Sequence, residues 1–265
     1  MDCNMKVPRI RRSASSPASM SDPVIGILGG MGPAATADFY SKLVALTPGS
    51  TDQEHPKVVI WADPTVPDRT LALTENGPDP TPWLIRGARV LRESGATTLA
   101  IPCNTAHAFL PAISSQLGHP VVHMIDEVAR HIRTLSPAVT SVGLLATTGT
   151  VRTGLYQQWL SEYSIDVLVP GPAIQDELVM PAIRAIKSGN VGDETTDKLV
   201  RAADLLVESG AQVVVAGCTE IPLGLPADAT TCQIIDPATI LARALLRRVA
   251  DARRHPSMVV SGCLQ

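Results

Sequence analysis

Residues 84–111 and 199–226 of this chain are spaced copies of one another, and each copy carries a cysteine at the same point. An offset of 115 positions lays Leu84, Arg86, Ala88, Leu91 and Glu93 on Leu199, Arg201, Ala203, Leu206 and Glu208. It then lays Ser94-Gly95-Ala96 on Ser209-Gly210-Ala211, Cys103 on Cys218 and Pro111 on Pro226. A second stretch repeats at an offset of 117, where Gly26, Leu28, Gly32 and Thr36 meet Gly143, Leu145, Gly149 and Thr153. The triplets Met124-Ile125-Asp126 and Ile234-Ile235-Asp236 close the two copies. A chain doubled in this way folds as two similar units, and 265 residues suffice for two medium-sized cores.

Within each copy short β-branched runs alternate with helical stretches. The first copy reads as strand 24–28, glycine turn 29–33, helix 34–46, strand 58–62, a Pro-rich loop around Pro67-Asp68-Arg69-Thr70, helix 82–94 and strand 98–101. The second reads as strand 142–145, turn 146–150, helix 151–162, strand 165–169, helices 176–187 and 194–208, and strand 212–216. This alternation predicts an α/β fold of two pseudo-symmetric domains, each a parallel sheet flanked by helices. Ligands of such sheets bind beyond the carboxyl ends of the strands. Cys103 and Cys218 stand at those ends, so if the two edges face each other across a cleft a ligand would sit between two thiols.

Composition narrows the partners. The chain is 45% hydrophobic and 18% charged, with a formal charge of -3. It has no basic run in its body, which argues against nucleic acid and anionic membrane, and no apolar stretch approaches the roughly 18 residues of a membrane span. Five cysteines, without CxxC spacing, predict free thiols in a reducing cytoplasm. Cys3, Cys232 and Cys263 read as incidental. Residues 1–22 are Ser-rich and basic, consistent with a disordered tail, an upstream start or an organelle transit peptide. The histidines at 55, 107, 119, 123, 131 and 255 show no zinc spacing, and no metal or other cofactor is expected.

Each motif has a competing reading. Gly30-Met31-Gly32-Pro33-Ala34-Ala35 satisfies G-x-G-x-x-A, but Asp52 lies in a polar segment away from a strand end, and Pro33 removes an amide that a pyrophosphate would use. The turn still offers N–H groups to a smaller anion such as a carboxylate. A single free cysteine usually just packs. Two at strand-to-helix turns, at one offset, point to chemistry, with turn amides expected to lower the thiol pKa. His107, four residues past Cys103, reads either as the base of a Cys–His hydrolase or as a structural histidine that steadies the turn. The former leaves the second cysteine idle. Arg69 and Lys187 occupy roughly corresponding places in the two copies and suit two carboxylates, the competing reading of each being an ordinary solvated surface cation.

Taken together, Gly26-Ile27-Leu28-Gly29-Gly30-Met31-Gly32-Pro33, Pro67-Asp68-Arg69-Thr70, Ile101-Pro102-Cys103-Asn104-Thr105-Ala106-His107, Leu145-Ala146-Thr147-Thr148-Gly149-Thr150 and Ala216-Gly217-Cys218-Thr219-Glu220-Ile221-Pro222-Leu223 resemble the cofactor-independent aspartate/glutamate racemases. The likeness is strongest to the aspartate branch, because glutamate racemases carry histidine where this chain has Glu220. The resemblance implies catalysis by Cys103 and Cys218, and substrate contacts from Met31, Arg69, Asn104, Thr105, Thr148, Lys187, Thr219 and Glu220. It also implies a small amino dicarboxylate substrate, no cofactor and a homodimer. The closing strand and helix of each half are expected to be exchanged, giving one domain of 23–119 with 233–265 and another of 120–232. By analogy with glutamate racemases, Cys218 would take the proton from the L-enantiomer and Cys103 from the D-enantiomer. A relative on the same fold, such as a glutamate or hydantoin racemase, a maleate isomerase or a malonate decarboxylase, is the alternative enzyme. A small-acid-binding protein without turnover is the alternative outside enzymes.

Overall fold

The structure is a computed structural model that describes residues 23–226 and 228–254. The basic leader 1–22 and Cys263 lie outside the described residues. Among the described residues eight strands form two separate four-stranded sheets. The first contains β1 (Val24–Gly29), β2 (Lys57–Ala62), β3 (Thr98–Ala100) and β4 (Val121–Val122) in the order β2-β1-β3-β4. The second contains β5 (Ser141–Leu145), β6 (Asp166–Leu168), β7 (Val213–Ala216) and β8 (Ile234–Ile235) in the order β6-β5-β7-β8. Every pairing is parallel. The sequence repeat is thus a structural repeat, strand for strand, of the pseudo-symmetric α/β kind that was predicted.

The repeated Ser-Gly-Ala triplets show why the duplication persists where it does. Helices Thr81–Glu93 and Asp193–Glu208 both end at a serine, after which Gly95 and Gly210 adopt φ of 90° and 105°. Gly95 N–H then bonds Arg92 O at 2.9 Å and Ala96 N–H bonds Leu91 O at 3.0 Å. Gly210 and Ala211 repeat this on Val207 and Leu206. This closure satisfies two otherwise orphan carbonyls and needs a left-handed residue. The following alanine drops onto the first strand of its sheet. A Cβ at Gly26 would lie 2.8 Å from Ala96 Cβ, and one at Gly143 would lie 3.2 Å from Ala211 Cβ. Gly26 with Ala96, and Gly143 with Ala211, therefore repeat as packed pairs.

The exchange between halves is confined to helices, which corrects the sequence reading. β4 pairs with β3 of its own half, Leu99 opposite Val121, and β8 pairs with β7 of its own half, Val214 opposite Ile234. Boundaries at 119/120 and 232/233 would put both strands in the wrong sheet. The helices that follow do cross. Helix Met124–Ile132 buries Ile125, Val128, Ala129 and Ile132 among Val142, Leu144, Tyr156 and Val215 of the second half. Helix Pro237–Arg254 buries Leu241, Ala242 and Leu245 against Ile25, Ile27, Phe39 and Val122 of the first. Each crossing helix covers a sheet face that would otherwise expose β-strand aliphatics to water. Where they meet, Glu127 accepts from Arg247 at 2.9 Å and lies 3.5 Å from Arg248.

Smaller departures also touch the site. The Pro-rich loop contains a short helix, Arg69–Thr74, capped by Asp68, whose carboxylate accepts from the Thr70 and Leu71 amides. The helix expected over 151–162 is two, Thr148–Arg152 and Leu155–Ser161, parted by Gly154 at φ 63°. The run from Pro172 to Lys187 passes through a π-helical turn at Gln175–Val179. Among the described residues no helix is long and apolar enough to cross a membrane.

Leu245 is fully buried against the first sheet although it belongs to the end of the chain. Leu245→Ala should therefore cost about 2–5 kcal/mol of stability, as core leucine truncations do. The readout is equilibrium urea unfolding, and a loss under roughly 0.5 kcal/mol, the size of a surface substitution, would show that this helix does not complete the first core.

Candidate active site

Both cysteines leave the carboxyl ends of central strands, Cys103 after β3 and Cys218 after β7, and both are buried. They line one narrow cavity together with Met31, Asp68, Arg69, Thr70, Asn104, Thr105, Thr147, Lys187, Thr219 and Glu220. The facing edges of the two sheets are joined there by side chains. The Thr105 hydroxyl shares hydrogen bonds with Thr147 at 3.0 Å and Thr150 at 2.9 Å. Thr219 donates to the Pro102 carbonyl at 3.2 Å, and Tyr156 donates to Asn104 Oδ1 at 2.6 Å.

Two buried donors at the cavity lack a partner among the described residues: Asn104 Nδ2 and Arg69 Nε. The rest of the Arg69 guanidinium is fixed, with its two terminal nitrogens donating to the carbonyls of Val66, Pro67 and Met31 at 2.9–3.0 Å. Met31 thus acts through its backbone, holding Arg69 in place. Leaving a buried donor unpaired costs roughly 1–3 kcal/mol, and a substrate oxygen would relieve that cost. Asn104 is so oriented because Tyr156 takes its carbonyl oxygen and turns the amide nitrogen free.

Lys187 ends helix Met180–Lys187 and bonds Glu220 Oε1 at 2.6 Å. Burial lowers the Lys187 pKa, but Cys218 and Glu220 outweigh it and hold the ammonium above its ordinary value. Glu220 Oε2 accepts from the Cys218 thiol at 3.0 Å. Burial, then the Glu220 charge, pushes Cys218 well above the usual thiol range, with Lys187 opposing. The expected lowering by turn amides does not hold for this cysteine, because burial, and then a carboxylate two residues on, push the other way. The approach is tight, since a Cβ at Gly32 would lie 2.8 Å from Glu220 Oε1.

Both ring nitrogens of His107 are engaged by backbone groups and not by the Cys103 sulfur. Met124 N–H donates to its Nε2 at 3.1 Å, which fixes the proton on Nδ1, and Nδ1 donates to the Cys103 carbonyl at 2.9 Å. Burial and neighbouring His123 lower its pKa to about 3. It is a neutral clamp on the Cys103 turn. Thr148 lines only a second, outer cavity with Arg152, Met180 and Arg184, whereas Thr147 lines both that cavity and the inner one. Asp68, Thr70, Thr147 and Tyr156 are site residues that sequence reasoning missed. The first three adjoin motif positions already marked, but Tyr156 carried no sequence signal. Among the described residues no three His, Cys, Asp or Glu side chains converge to hold a metal ion.

Comparisons with known proteins place the chain in a family. Residues 28–245 match the family described as Asp/Glu/Hydantoin racemase, and the chain belongs to that family. It is a cofactor-independent racemase of the Asp/Glu superfamily. It is similar to an aspartate racemase of Picrophilus torridus, at 29% identity and TM-score 0.75, covering 86% of this chain and 94% of that one. An aspartate racemase homologue from Pyrococcus horikoshii matches at 28% identity and TM-score 0.68, covering 85% and 98%. A broad specificity amino-acid racemase of Bacillus subtilis (strain 168) is 29% identical over 83% of this chain and 95% of its own length.

His107 also predicts a pH dependence. With a folded pKa near 3 against 6.5 in the unfolded chain, the unfolded state alone takes up a proton between those values. Stability then falls as pH drops through that window. Urea midpoints measured from pH 7 to 4 should decline, and His107→Gln should flatten the decline by a few kcal/mol. An unchanged slope would mean that His107 is not held neutral by the fold.

Proposed function

We propose that this racemase interconverts L- and D-aspartate, with Cys103 and Cys218 as the base and acid on opposite sides of the α-carbon. The observation that carries the reading is a single cavity bordered by two thiols from equivalent turns, with unpaired donors between them. One thiolate accepts the α-proton, the bonding pair stays on carbon, and the other thiol delivers its proton to the opposite face. The two groups end each turnover with their protonation exchanged, as suits a reaction between mirror images. Without an electron sink, the carbanion is stabilised by charge neutralisation and preorganised donors at the α-carboxylate. Asn104 Nδ2 and Arg69 Nε are suited to that, with the hydroxyls of Thr105, Thr147 and Thr219 completing the polar wall. Lys187, on the other half, is the cation for the second carboxylate, and the outer cavity at Thr148 is its approach.

A second reading, broad amino-acid specificity, has one observation in its favour. Lys187 is already paired with Glu220, so a distal carboxylate gains less there than from a free cation, and neutral side chains are tolerated better.

Loss of optical activity from L-aspartate without added cofactor tests the reaction, and Cys103→Ala or Cys218→Ala should each abolish it, since both an acid and a base are needed. Near wild-type rates in both variants would end the two-thiol reading. Against alanine, aspartate should win by roughly thirtyfold or more in kcat/KM, corresponding to the 2–5 kcal/mol lost when one partner of a buried charge pair is missing. Arg69→Leu and Lys187→Met should reduce aspartate turnover more than alanine turnover. Comparable kcat/KM for the two substrates would favour the broad reading.

A further inference from the structure

The duplication places the two thiols at equivalent points, yet among the differences around them one puts a charge against only one sulfur. Two residues after Cys103 stands Thr105, a neutral hydroxyl already engaged with Thr147 and Thr150. The offset of 115 carries Thr105 onto Glu220, a carboxylate buried to 2% exposure whose Oε2 accepts from the Cys218 thiol at 3.0 Å. Its other oxygen is held by Lys187 at 2.6 Å, and Gly32 leaves the space for both. An acceptor-only group in this position favours the neutral thiol over the thiolate, because the thiol donates a hydrogen bond to it and the thiolate would face a like charge.

Building on the two-thiol reading, we propose that Glu220 is a positioning residue that keeps the proton on Cys218 in the resting enzyme and leaves Cys103 as the standing base. The charged and titratable groups facing this pair are Lys187 from helix Met180–Lys187, Arg69 and Asp68 from the short helix and its cap, Cys103 across the cavity and Tyr156 behind Asn104. Of these, only Lys187 bonds Glu220, and it tempers the carboxylate without cancelling its contact to sulfur. When the substrate α-proton passes to the Cys103 thiolate and Cys218 gives its proton to the opposite face, the Cys218 thiolate is left against Glu220. The free enzyme returns to rest by losing the Cys103 proton to water and regaining one on Cys218. The enantiomer whose α-hydrogen faces Cys103 meets the major resting form, and its mirror image must wait for the minor one.

This asymmetry has a kinetic signature. Enantiomers have an equilibrium constant of one in an achiral solvent, so both directions share one kcat/KM. The enantiomer that needs the minor form has its KM raised by the inverse of that form's population, and its kcat rises by the same factor.

The test is peptide-mapped iodoacetamide labelling of the full chain from pH 6 to 10, read separately at Cys103 and Cys218. In the wild type at pH 7.5, Cys103 should be modified about tenfold or more faster than Cys218, one pH unit in thiolate formation being tenfold in thiolate population. Glu220→Gln should move the Cys218 midpoint down by about one pH unit or more, and Lys187→Met should move it up. Opposite signs from two neighbouring substitutions are not produced by a general loosening of the site. In Glu220→Gln the KM values of the two enantiomers should also draw together, with kcat following. Equal labelling of the two thiols in the wild type, or a Cys218 midpoint unmoved by Glu220→Gln, would overturn the proposal. Should Glu220→Gln fail to fold by circular dichroism, a Lys187→Met midpoint that stays or falls would overturn it equally. Racemisation that survives loss of either cysteine would instead sink the two-thiol reading, whatever the labelling shows.

Discussion

Buried side-chain hydrogen bonds join the carboxyl edges of two separate sheets, and the site depends on that seam. Thr105 meets Thr147 and Thr150, Tyr156 reaches Asn104, and Thr219 reaches Pro102, each bond linking one half to the other. Groups this buried must be satisfied internally, so the seam fixes how the halves approach. The crossing helices Met124–Ile132 and Pro237–Arg254 reinforce it by placing part of each half in the other's core. A thiol at each strand end is thereby brought to a common cavity by the backbone, leaving the side chains around it free to differ.

Those differences are what turn a symmetric scaffold into a working site. Arg69 is pinned by three carbonyls in the first half, while Lys187 is paired with Glu220 in the second. Cys103 is steadied through its own carbonyl by a neutral His107, while Cys218 bonds Glu220 through its sulfur. A fully symmetric pair of thiols would compete equally for one proton. An enzyme that needs one acid and one base at each moment is served by a bias between them, provided the bias stays small enough for the exchanged state to form.

Most of the frame was legible in the sequence because it rests on local rules. The Gly26–Ala96 and Gly143–Ala211 contacts and the Ser-Gly-Ala helix ends repeat in sequence since close packing and a left-handed turn leave few residue choices. The cysteines were legible for a similar reason, each following an apolar strand at a fixed spacing. What sequence did not carry was long-range. β4 and β8 are two residues long, too short to signal which sheet they join, so their exchange was wrongly expected. Tyr156 reaches the site from a helix across the seam, 52 positions from Asn104. Burial of Cys218, and then its contact to Glu220, reversed the expected direction for that thiol, and both depend on tertiary packing and side-chain rotamers. Thr147 and Thr148 are neighbours in sequence, and only the turn geometry decides that the first faces the inner cavity.

The central claim, that two bases flank the α-carbon, is tested most directly by running the reaction from L-aspartate in deuterium oxide and following the α-position by proton NMR and mass spectrometry at early times. A two-thiol site predicts that newly formed D-aspartate carries deuterium while the remaining L-aspartate stays protiated, because the proton removed and the proton delivered belong to different groups. Substantial protium in the early D-aspartate, or deuterium entering the L-pool as fast as D-aspartate forms, would mean that one base serves both faces, and the account would fail.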